Sequence, residues 1–169
     1  MPEHHTHSDK HAAHGRLVAR LRQQADDVGR LTAGLDETSL AQRIAPDKWS
    51  LKELVCHLHR LQDIFEGRVE AMVTGENPSI TSYMPDGDLE FEKILSRPAK
   101  DSIAAFLKSR QRLAGHWEEL SPAEWHRPGR HPDFPHYDVH FQVEYMVHHE
   151  AHHIYQMYQR RVPFGKLPH

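Results

Sequence analysis

The chain has 169 residues, of which 38% are hydrophobic and 27% charged, and its formal net charge is −3 with histidine neutral. That length supports one domain with a true core rather than two. The slightly acidic balance excludes a broad basic face for nucleic acid, no apolar run is long enough to span a bilayer, and the single cysteine, Cys56, excludes an internal disulfide and a cysteine-based zinc site.

Residues 1–12, MPEHHTHSDKHA, are polar and lack the apolar segment of a secretory signal. They read as a disordered histidine-rich tail ahead of a single domain over 13–169, and a cytoplasmic address is the expectation. From about His11 to Leu35, the residues Leu17, Val18, Leu21, Ala25, Val28, Leu31 and Leu35 recur at helical spacing, with Gly34 near the end. LDETSLAQRIAPDKW then reads as a turn-rich connection broken by Pro46. The second helix opens at WSLKELVCHLHRLQDIFEGRVEAMV, where Ser50 and Glu53 fit a capping box, a plainer role for Glu53 than catalysis. Its stripe is Leu51, Leu54, Leu58, Leu61 and Phe65, and TGENPS ends it. A long connection follows, holding Tyr83, Pro85, Gly87 and a short helix over DLEFEKILS, and its length suggests a crossover. Asp101 is expected to cap a third long helix that turns Ile103, Phe106, Leu107, Leu113, Trp117 and Leu120 inward. After the proline-rich SPAEWHRPGRHPDFPHYD, a final helix runs from about Asp138 to Arg160. Strand-like alternation is absent. Four amphipathic helices with one long crossover predict an all-α four-helix bundle.

Histidine is the anomaly, with 17 residues. Four His-x-x-x-His pairs occur: His7/His11, His136/His140, His148/His152 and His149/His153. In so histidine-rich a chain the spacing alone is a weak signal, and helical geometry has to choose. On the last helix the apolar stripe is Val139, Val143, Met146, Val147, Ile154 and Met157. At about 100° per residue, His153 sits at one edge of it, His149 one turn back on the same side, and Gln156 one turn on. His152 points away from the stripe and His148 lies well outside it. On the second helix His57 borders the stripe, whereas His59 is expected to face solvent. Packed edge to edge, the two helices bring His57, His149 and His153 together. Edge histidines often only hydrogen-bond across a bundle, but three converging imidazoles suit zinc, nickel or iron, with a position left for water or substrate.

Two motifs resemble the DinB-like (YfiT-like) four-helix-bundle metalloprotein superfamily. PDKWSLKELVCHL resembles the family's second-helix opening, a Trp-Ser start with a ligand histidine eight residues after the Trp, here His57. HEAHHIYQ resembles its second motif, a His-x-x-x-His with Gln three residues on, here His149, His153 and Gln156. The resemblance runs from about Leu17 to Arg160. It implies an up-down-down-up bundle and one divalent metal ion, zinc or nickel first, iron or manganese next. It also implies a homodimer. Some members look like metal-dependent hydrolases, others like thiol transferases or isomerases that use a low-molecular-weight thiol. HPDFPHYDVH departs from the pattern, being rich in proline and histidine where relatives often carry a glycine and a shorter polar link.

The expected function is therefore a small-molecule, metal-dependent enzyme, a hydrolase or a thiol S-transferase. An open three-histidine site can lower the pKa of bound water or hold a thiolate. Gln156 is expected to bond a ligand histidine or the metal-bound water. Glu144, Glu150 and Gln156 are candidates for general base and none is assigned; Glu150 faces the apolar side, where a carboxylate pairs or snorkels. Cys56 and the three tryptophans read as packing or helix-end anchors, and Tyr145, Tyr155 and Tyr158 as core or pocket lining. Arg160 and Arg161 suit the helix dipole. The alternatives are a non-catalytic, stress-related metal-binding protein, closed by a fourth ligand such as His59, His136 or His140, and a dimeric interaction module whose histidines titrate.

Overall fold

The four apolar stripes each become a long helix in the computed structural model, which describes residues 6–167, with side chains from residue 12. In chain order the helices are α1 (Thr6–Thr32), α2 (Glu37–Ala41), α3 (Leu51–Thr74), α4 (Leu89–Leu95), α5 (Ala99–Glu118), α6 (Pro122–Trp125) and α7 (Val139–Arg161), followed by a 3-10 turn at Val162–Phe164. Residues 1–5 of the expected tail lie outside the described residues. Helix α1 starts at Thr6, ahead of the expected His11 and inside the stretch assigned to that tail. The turn-rich connection after α1 contains α2, which Asp36 caps through Ser39 N.

Ser50 and Glu53 form the expected capping box of α3, each side chain satisfying the other's backbone N–H. Asp88 caps α4 and Asp138 caps α7. Asp101 does not cap α5: the helix begins after Pro98, which has no side-chain acceptor. The carboxylate of Glu37, carried in by α2, takes the free N–H groups of Ala99 (2.7 Å) and Lys100 (3.0 Å) instead.

α1 and α3 each pack against both α5 and α7, which places α1 and α3 on one diagonal of the bundle. The core has two clusters. One joins the N-terminal halves of α1 and α7 to the C-terminal halves of α3 and α5, and the other joins the opposite halves. Helices α1 and α7 therefore run one way and α3 and α5 the other. Two parallel neighbours need a long return, supplied by residues 75–98 and by α4.

Between the clusters lies a buried ion pair. Arg110 of α5 donates to both oxygens of Glu150 on α7 (2.8 and 2.5 Å), to Gln62 Oε1 on α3 (2.6 Å) and to Leu21 O on α1 (2.8 Å). Arg110 and Glu150 are 1% and 2% exposed. One guanidinium thus ties all four long helices.

The crossover and the loop before α7 are stitched together over one end of the bundle. Ile80 N donates to Arg130 O (2.7 Å) and Arg130 N to Pro78 O (2.8 Å). Gly129 is needed there: a Cβ would lie 2.9 Å from the buried Met72 Sδ and 3.2 Å from Tyr137. These isolated bridges are the β-type pairing among the described residues. No helix of the described residues is long and apolar enough to cross a membrane.

Candidate metal centre

On α3, His57, Leu61, Phe65 and Arg68 follow one another at helical spacing down one face; on α7, Gln142, Tyr145, His149, His153 and Gln156 do the same. Where these faces meet, the rings of His57, His149 and His153 converge, with centroids 4.5–5.6 Å apart. One nitrogen from each lies within 4.8 Å of the others. Nε2 of His153 is 3.1 Å from Nε2 of His149.

The surroundings keep these imidazoles neutral. Burial, then the neighbouring histidines, pushes His57 down to about 3 and His149 down to about 4. Burial also lowers His153, against the opposing hydrogen bond to Gln156. Gln156 Oε1 can only accept, so His153 donates to it from Nδ1 at 2.8 Å and leaves Nε2 as a lone pair facing His149. Nitrogens that share a tetrahedral zinc ion at about 2.0–2.1 Å stand about 3.3 Å apart. Neutral donors, a fixed tautomer and this spacing together fit one divalent cation.

Aromatic rings hold the imidazoles in place. Trp49 lies 5.1 Å from the His57 ring and Tyr145 stacks on His149 at 6.0 Å. Two of the three histidines, His57 and His149, form the wall of a pocket of about 240 Å³. Phe65 and Arg68 of α3 line it, with Gln142 and Tyr145 of α7. Tyr83 of the crossover and His131, Asp133, Phe134 and Tyr137 of the loop before α7 complete it. The atypical loop thus borders the site.

The polar residues of the pocket are themselves anchored. Tyr83 and Arg60 both donate to Asp88 at 2.7 Å, which draws the Asp88 carboxyl down to about 2; burial, then the bond to Asp88, lifts the Tyr83 hydroxyl to about 12. Burial raises Tyr137 to about 12, and its hydroxyl donates to Gln142 Oε1. His131 is lowered by burial and by Arg68; its Nδ1 accepts the Asp133 N–H at 3.1 Å.

Among the other residues singled out, His148 and His152 are exposed as expected. His59 is not solvent-facing: it is 8% exposed, with Phe106 of α5 6.3 Å away. Its helix packs against both α4 and α5. Glu150 is committed to Arg110, and Glu144 lies 3.7 Å from His140. His140 approaches His14 at 3.0 Å instead of the centre, and His136 lines a different hollow. Cys56 is fully buried beside Ile94. Trp117 and Trp125 are core residues, while Tyr155 and Tyr158 are exposed and lie outside the pocket walled by His57 and His149. Arg160 and Arg161 do more than meet the helix dipole. They are buried and donate to Trp49 O, and to Gly165 O and Lys166 O, respectively.

Arg68 and Gln142 escaped the sequence reading. The signal was present: Arg68 lies eleven residues after His57 and Gln142 seven before His149, both returning to the ligand face of their helices.

A family model described as the DinB superfamily matches residues 20–157. Among solved structures the fold is similar to YfiT from Bacillus subtilis, described as a probable metal-dependent hydrolase with an unusual four-helix bundle topology. The TM-score is 0.77 at 17% identity, over 98% of this chain and 93% of that one. No curated protein matches the chain.

Proposed function

The chain belongs to the DinB superfamily, and from that premise we propose that His57, His149 and His153 hold one divalent metal ion, zinc or nickel first, iron or manganese next, in an enzyme that hydrolyses a small molecule. The carrying observation is a set of three neutral imidazoles, two of them in the wall of a pocket, with no fourth ligand among the described residues. Three protein ligands leave a coordination position open, as catalytic sites do and closed structural sites do not. The description of YfiT as a probable metal-dependent hydrolase supports the same reading.

When bound, the ion supplies Lewis-acid chemistry that makes a nucleophile available near neutral pH. The chain's own residues do the rest. Gln156 holds His153 in the tautomer that presents Nε2. Phe65, Phe134 and Tyr145 line the pocket with rings that exclude water. Asp133 is the pocket's one carboxylate among the described residues and takes a hydrogen bond from Ser82 (2.7 Å).

Thiol S-transfer with a low-molecular-weight thiol is the second reading, favoured by the scarcity of proton acceptors. Glu150 is sealed by Arg110 and Gln156 is engaged by His153. The working assembly is taken to be a cytoplasmic homodimer, which light scattering and cell fractionation check.

Elemental mass spectrometry on the tag-free full-length chain tests the site. One metal per chain, lost in both His149→Ala and His153→Ala, is expected. Metal that stays in both variants belongs to other histidines and overturns the reading, as does a chain that takes up none. Hydrolytic turnover of a small-ester and small-amide panel, abolished by His57→Ala, then separates hydrolysis from thiol transfer.

A further inference from the structure

The floor of the pocket, away from the histidines, carries a cationic side chain, Arg68. Arg68 is half-buried, with its guanidinium 5.6 Å from the Phe65 ring centre. It donates to Thr81 O (2.9 Å) and Gln142 Oε1 (3.3 Å), both neutral acceptors, and pairs with no carboxylate among the described residues. A guanidinium has five N–H groups, so most remain available.

Gln142 is 1% exposed. Arg68 can only donate, so the amide atom facing it is the oxygen, which also accepts from Tyr137. That orientation forces the amide nitrogen the other way, and Nε2 has no partner. Gln142 thus spends its oxygen on orienting Arg68 at the pocket wall.

We propose that this end of the pocket binds the carboxylate of a small monocarboxylic acid, held by Arg68, with the acid's apolar body against Phe65 and Phe134. The proposal rests on the metal-site reading and names the substrate class for it. One guanidinium matches one negative charge. A phosphate group carries about −1.5 to −2, and the Asp133 carboxylate in the same wall disfavours the excess. The volume of about 240 Å³ falls below the roughly 300 Å³ at which ordinary ligand pockets begin, so the acid is slender. Gln142 lies two turns before His149, about 10 Å along α7. The reacting group of the substrate therefore sits on the order of 10 Å from its carboxylate, at the histidine end.

The test is calorimetric binding of 4-phenylbutyrate, of its neutral primary amide and of inorganic phosphate, to zinc-loaded and to chelator-treated full-length protein. The acid is expected to bind in both forms and the amide at least about ten-fold more weakly. Loss of a charged hydrogen-bond partner makes Arg68→Met about ten- to hundred-fold weaker for the acid and leaves amide binding as it was, while Arg68→Lys keeps most of the acid affinity. Circular dichroism and metal content establish that each variant is folded and loaded. Equal binding of acid and amide, an Arg68→Met variant with wild-type acid affinity, or phosphate outcompeting the acid through Arg68 overturns the proposal. Acid binding that needs zinc and ignores Arg68 places the carboxylate on the metal, which overturns the proposal and spares the metal reading. Arg68-dependent acid binding in a chain that takes up no metal does the reverse.

Discussion

Glu150→Gln keeps the size of the side chain and removes the charge that Arg110 holds at 2.8 and 2.5 Å. The new amide also turns an NH₂ toward a guanidinium, donor against donor. Both residues are almost wholly buried, so water cannot compensate. Removing one partner of such a pair costs about 3–5 kcal/mol, out of the roughly 5–15 kcal/mol that keeps a domain folded. With a urea slope of about 2 kcal/mol/M, the unfolding midpoint falls by about 1.5–2.5 M. Urea titration followed by far-ultraviolet circular dichroism measures it. The double variant Arg110→Met/Glu150→Leu recovers part of the loss and not all, because Leu21 O and Gln62 Oε1 lose their donor, at about 1–3 kcal/mol for each buried group left unmade. A Glu150→Gln midpoint within about 0.5 M of wild type would refute the reasoning, since it would mean that the pair is solvated and the helices are held by apolar contact alone.

The acid limb of stability gives a second expectation. The hydrogen bond from Arg60 foremost holds the Asp88 carboxyl at about 2, below its unfolded value of about 3.9. Its contribution is whole above about pH 4 and is lost as the pH falls toward 2. The urea midpoint of wild type should drop more between pH 5 and pH 2.5 than that of Asp88→Asn; parallel drops would refute this. Gln156→Leu frees the His153 ring and should weaken metal affinity about 10- to 100-fold with helicity intact, read by competition with a chelating dye. His59→Ala should lower the melting temperature yet keep full metal occupancy, because His59 is buried away from the centre. Ser50→Ala removes half of the α3 capping box and should cost about 1 kcal/mol, a fall of about 2–4 °C for a chain of this size.

The three histidines were legible because helical angle alone separates an edge position from an outward one, and His148 and His152 sorted correctly by the same rule. His59 did not. The rule assumes that the face opposite the stripe meets solvent, and α3 has no such face at His59, because Phe106 of α5 lies beside it. Arg110 was missed for a related reason: a charged residue in an amphipathic helix reads as exposed, and only the partner acid, 40 residues away, justifies its burial. The α5 start was misread because its cap comes from Glu37, 62 residues upstream, through a contact that local sequence does not carry. Boundaries with their caps inside the segment, at Ser50 and Asp138, came out as expected.

The pocket and its histidine wall are built from different materials. The three imidazoles stand on α3 and α7, braced through Arg110, whereas much of the opposite wall comes from residues 82–85 and 131–137, two irregular segments pinned to each other through Pro78, Ile80 and Arg130. Helices fix donors to fractions of an ångström, while loops tolerate insertion and exchange. Recutting those two segments would change what fits the pocket without moving an imidazole, so the histidine cluster and the shape of the cavity can vary independently. A designer wanting a new small-molecule catalyst on this scaffold would leave the helices untouched and graft the roof.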